Sequence, residues 1–222
     1  MSTVLEQPRQ VRPGDETTTR VAPVALKRRT IDSILIGFGV VAMAAFAVAG
    51  GLLTWGHNFS SDYVTKELSS QNISFPSAEA LTKGDRADLL QFAGQKVDTG
   101  AEAQGYASFI NGHLAAIGGG ATYADLGAPE SAAKADVAAA VKAGKSTTEV
   151  ATLQAKADGI TAQRNTMFKG ETLRGLLLSA YAWSTVGSIA GYAALGAFIA
   201  AAIMLVLIGL GLVHHRRTPK TA

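Results

Sequence analysis

The chain reads as a mainly α membrane protein. Its predicted form is a hairpin of two transmembrane helices with a small, mostly helical extracytoplasmic domain inserted between them. Three observations predict this. No Asp, Glu, Lys or Arg lies between Asp32 and Asp62, and none lies between Arg174 and Arg216. Basic residues flank the terminal side of each uncharged stretch, and the two tryptophans flank the other side. The residues in between carry helical spacing punctuated by glycine. A hydrocarbon core about 30 Å thick needs roughly 20 apolar residues at 1.5 Å each, so both stretches are long enough to cross it.

The elements follow in order. Residues 1–30 form a cytoplasmic N-terminal arm with Pro8, Pro13 and Pro23 and few apolar side chains, a composition that alone favours disorder. The first span occupies 31–55, with its apolar run from Ile34 to Leu53. Ala47-Val48-Ala49 ahead of Gly50 resembles a leader-cleavage site, but the apolar run continues past it. Residues 56–180 form the extracytoplasmic domain. Phe59, Tyr63, Val64 and Leu68 share one helical stripe, so the first helix is expected to continue outward. Gln71–Phe75 and Gly94–Gly100 read as extended or loop segments. Tyr106, Phe109, Ile110, Leu114 and Ile117 mark an amphipathic helix over 101–117, stopped by Gly118-Gly119-Gly120. Pro129 suits a first helical position, and Gly144 closes the Ala-rich helix that it opens. Ser146 and Glu149 have capping-box spacing. Beyond them Val150, Leu153, Ala157, Ile160, Arg164 and Met167 form a seam that needs a partner helix and points at the second span. That span occupies 181–213, most apolar from Gly187 to Val213, and a basic tail fills 214–222.

Charge distribution sets the orientation. Residues 1–32 hold six Lys/Arg and four acids, 33–213 hold eleven and thirteen, and the tail holds three and none. Basic residues beside a span stay cytoplasmic, so Arg28, Arg29, Arg216 and Arg217 place both termini inside the cell membrane. Trp55, Trp183 and Tyr181 then serve as anchors at the outer interface. No clustered basic face suits nucleic acid.

Chemistry is hard to find. With no cysteine, neither a disulfide framework nor a thiolate nucleophile can form. His57 and His113 lack nearby ligand partners, and adjacent His214 and His215 point apart on a helix. They read as an interface residue, a polar helix position and a basic flank. Nucleophile elbows, phosphate loops and dinucleotide fingerprints are missing, so no catalytic residue, metal, cofactor or small-molecule substrate is expected. Asn72-Ile73-Ser74 fits a glycosylation site only in a eukaryotic secretory route. The spans hold small residues instead. Gly187 and Gly191, then Gly196 and Ala200, and in the first span Ser33 with Gly37 and Ala45 with Ala49, recur at four-residue spacing. Such spacing lets helix backbones approach closely in lipid. The expected packing is partly span on span and partly against another protein.

Several segments carry a resemblance. They are Gln71-Asn72-Ile73, Phe92 to Val97, Gln104 to Ile110, Gly120 to Leu126, and Gly170 to Tyr181. Over about residues 31–213 the chain resembles a family of small actinobacterial two-span membrane proteins with an outer helical domain. Some similar proteins look like accessory subunits of the cytochrome bcc–aa3 respiratory supercomplex. The resemblance implies a non-catalytic subunit contacting membrane lipids and larger membrane subunits, cytochrome bcc and cytochrome c oxidase among them. Members sometimes carry a label as ring-opening dioxygenases, but the two His and one carboxylate of such an iron site are not evident here. The other expectation is a free-standing envelope protein whose outer domain binds a ligand or another envelope protein.

Overall fold

The computed structural model describes residues 28–217. The arm ahead of Arg28 and the tail after Arg217 lie outside the described residues. Five α-helices follow in order: α1 Arg28–Ser70, α2 Ala78–Lys83, α3 Gly100–Gly118, α4 Gly127–Lys142 and α5 Thr147–Arg217. A 3-10 turn covers Ala87–Phe92. No strand occurs among the described residues; a single antiparallel bridge joins Ser74 to Lys96.

Helix α1 runs 43 residues and α5 runs 71. Both contain a segment long and apolar enough to cross a membrane. Only 11% and 6% of those segments are buried, unlike the enclosed core helices of a globular protein. The two helices are antiparallel. Gly211 packs on Ile36, Gly39 on Ile208, Gly50 on Phe198 and Gly187 on Ser60, so equal lengths of each helix separate matched contacts. Neither helix breaks at 55–56 or 180–181, where the sequence suggested boundaries between span and domain.

The smaller helices pack on the upper part of this hairpin. Thr99 and Glu102 form a reciprocal capping box that starts α3, a signal that sequence reading missed. Gly119 ends the helix with φ 57°, a left-handed conformation that costs glycine little. Ser146 and Glu149 cap the start of α5 as their spacing predicts. Pro129 lies two residues inside α4 rather than at its first position. It is tolerated there because first-turn amides have no partner within the helix. The two predicted extended segments meet each other: Phe75 N–H donates to the Gln95 carbonyl at 2.9 Å, and Val97 N–H to that of Ile73 at 2.9 Å. Ser77 caps the short α2, which the sequence reading left unassigned.

Two apolar clusters hold these pieces. Val64 and Leu68 of α1, Phe75, Leu81, Leu89 and Val97 of the connecting segments, Ala103 and Ala107 of α3, and Leu177 of α5 form the larger. Leu114, Leu126 and Met167 form the smaller. Burying each Leu or Val contributes roughly 1.5–3 kcal/mol. The predicted α1 stripe divides: Val64 and Leu68 are buried, while Phe59 and Tyr63 face outward, with Phe59 stacked between Trp55 and Tyr63.

Candidate interaction surfaces

The α1–α5 seam brings two predicted glycines into use. A Cβ on Gly187 would lie 2.9 Å from the Ser60 side chain, and one on Gly191 would lie 2.9 Å from His57 Nδ1. At this close approach Ser60 Oγ donates to the Trp183 carbonyl at 2.6 Å. His57 Nδ1 stands 2.8 Å from the Gly187 carbonyl, a contact in which the ring nitrogen donates. His57 is therefore a seam residue tying the two helices together. Polar groups among apolar helices need such partners, because lipid offers none.

The remaining small residues separate by position. Ala49 and Ala200 are half-buried beside the seam. Gly37 and Gly196 are exposed with nothing within 4 Å of an added Cβ, and Ala45 is exposed too. Gly39, Gly50 and Gly211 make the seam contacts instead, which four-residue spacing alone did not single out. Along α5 itself the buried positions are Ala157, Met167, Leu177, Gly187, Ala194 and Ile208, the face turned toward the other helices.

The aromatic anchors are offset. Following the helix register from Ser60 and Gly187, Trp55 stands level with Tyr192, and Trp183 level with Val64. That is about nine residues, or roughly 13 Å, apart along the hairpin. Charge and aromatic patterning alone put both at one outer interface, because local sequence carries no register between the helices. Trp55, Phe59 and Tyr63 bridge the gap as a stacked ladder with centroid spacings of 5.7 and 6.1 Å. Tyr181 is half-buried, and Arg216 and Arg217 are exposed. The Arg28 side chain lies outside the described residues.

Above the seam an apolar groove of about 500 Å³ opens between α1, α3 and α5. Tyr63 and Leu68, Tyr106 and Ile110, and Leu176 and Trp183 represent its three walls. Leu173, Leu176, Trp183 and Tyr63 are 52%, 65%, 52% and 51% exposed. Asp62, Lys66 and Glu67 on α1 and Glu171 and Arg174 on α5 share this stretch, so large apolar surface lies among charges.

Farther up, Glu130 locks α4 to α5. Lys134 Nζ donates to its carboxylate at 2.6 Å, Thr161 Oγ1 at 2.9 Å and Arg164 Nη1 at 2.7 Å. These donors, Lys134 first, then Arg164 and Thr161, hold the Glu130 carboxyl down at about 2. The Arg164 guanidinium also lies over the Tyr123 ring, 4.3 Å from its centroid. Among the described residues no group of three or more His, Asp or Glu side chains is placed to hold a metal ion. His113 is exposed, its ring tilted against Phe109 with centroids 4.5 Å apart.

Set against known proteins, the chain matches no family model, no curated protein and no solved structure. Its arrangement is suited to noncovalent association: an interhelical seam, an aromatic ladder and an apolar groove.

Proposed function

We propose that this chain is a non-catalytic membrane subunit that packs against larger subunits of a respiratory assembly of the cytochrome bcc–aa3 type. In this reading both termini are cytoplasmic, residues 56–180 lie outside the cell membrane, and the chain carries no cofactor or substrate of its own. The basic flanks of both spans support the orientation.

The observation that carries the proposal is the exposed apolar strip beyond the spans. Leu173 and Leu176 are exposed past the level of Asp62, among charged residues and beyond the uncharged stretch of α1, which in this reading puts them outside the hydrocarbon. Large apolar patches exposed to water mark protein contacts. A groove walled by Tyr106, Ile110, Leu176 and Trp183 suits an apolar segment of a partner. The resemblance to accessory subunits supplies the kind of partner, and the outward-facing Gly37 and Ala45 offer a second contact face within lipid.

Purification of the full chain in gentle detergent, followed by haem spectra and mass spectrometry, tests the reading. Haem-containing subunits are expected to co-purify, and Leu176→Asp is expected to release them while leaving the helix content unchanged. Recovery of the native chain without any haem protein would overturn the proposal. A monomeric outer segment that bound a ligand would favour the free-standing envelope protein.

A further inference from the structure

The end of the hairpin opposite the groove holds a second cavity, of about 270 Å³, between α1 and α5. Its walls are apolar: Leu35, Ile36 and Gly39 on one helix, Met204, Ile208 and Gly211 on the other. Asp32 and His214 stand at its mouth. One turn beyond this lining come Arg29, three residues before Asp32 on α1, and Arg217, three residues after His214 at the end of α5. The result is a greasy slot with an arginine beyond its lining on each helix.

We propose that this slot holds one anionic phospholipid, with an acyl chain against the apolar walls and the phosphate between Arg29 and Arg217. Charge supports this occupant. Arg29, Arg216 and Arg217 outnumber Asp32 at the rim, and α1 begins here with no acidic residue in its first turn. Hydrogen bonding supports it as well. Arg29 Nε and His215 Nδ1 are shielded from solvent and have no partner within the protein; the same holds for the Asp32 carboxylate oxygen Oδ2, which a phosphate would leave to water or a protonated headgroup. Buried polar groups nearly always find a partner. Phosphate oxygens fit the donor fork of a guanidinium closely. Basic pockets between transmembrane helices are suited to anionic headgroups, whereas a choline headgroup would set its own cation beside these arginines. The inference needs no protein partner, so it stands or falls separately from the assembly proposed above.

Native mass spectrometry of the full chain, titrated with phosphatidylglycerol and with phosphatidylcholine of the same acyl chains, tests it. The wild type is expected to retain one phosphatidylglycerol in preference to phosphatidylcholine. Each arginine near an anionic headgroup is worth roughly a five-fold change in affinity, so Arg29→Gln with Arg217→Gln is expected to weaken retention by about 25-fold. Arg174→Gln, more than forty residues from Arg217 along α5, is expected to retain the lipid as the wild type does. Circular dichroism confirms that each variant keeps its helices. Equal retention of the two lipids by the wild type would overturn the proposal. So would undiminished retention by the double variant, or an equal loss in Arg174→Gln.

Discussion

Gly187 shows what a single missing side chain can do in a membrane hairpin. A valine there would drive atoms into Ser60, and one at Gly191 would displace the His57 ring from its contact with the Gly187 carbonyl. Overpacking of this kind costs roughly 1–3 kcal/mol. Gly187→Val should therefore lower the thermal midpoint in detergent. Gly37→Ala and Gly196→Ala, which meet nothing within 4 Å, should leave it unchanged. If all three variants behaved alike, the α1–α5 register would be wrong. Glu130 offers a test by pH. Its carboxyl is held at about 2, below the ordinary 4.5, so it stabilises the fold fully above 4.5. That contribution fades as pH falls from 4.5 toward 2. Glu130→Gln should flatten this part of the stability curve, and an unchanged acid profile would show that the network carries no stability. The Gly187–Gly191 pair was legible as a packing motif from its four-residue spacing, but its partners Ser60 and His57 were not, and Glu130 meets Arg164 only through tertiary packing.

At the scale of elements, local signals were the most legible. The glycine stop after α3, the Ser146–Glu149 cap and the seam beginning at Val150 all act within a few residues, where backbone geometry settles the outcome. Thr99→Ala removes one half of the α3 capping box and should cost about 1 kcal/mol in chemical unfolding. A loss near zero would mean that packing alone starts the helix. The short α2 and the 3-10 turn were not foreseen. Their six-residue lengths hold too few turns for periodicity, and burial of Leu81 and Leu89 in the larger cluster decides them.

At the scale of the whole molecule, the two long helices act as one frame. α5 spans about 107 Å at helical rise, far longer than a bilayer is thick, so its upper half must meet water or another protein. The absence of cysteine makes this measurable. A cysteine introduced at the exposed Ala143 should react with an impermeant thiol reagent in intact cells, whereas one at Arg217 should react only after permeabilisation. The reverse pattern would invert the proposed orientation.

From the sequence alone came two lipid-length apolar runs, the helical character of the segment between them, and the basic flanks. These are composition and short-range periodicity, and both are complete within the chain as written. Tertiary structure decided which glycines touch, where Trp55 stands relative to Trp183, and that an apolar groove opens among charges. Each of these depends on the register between residues more than a hundred positions apart, which local spacing does not encode.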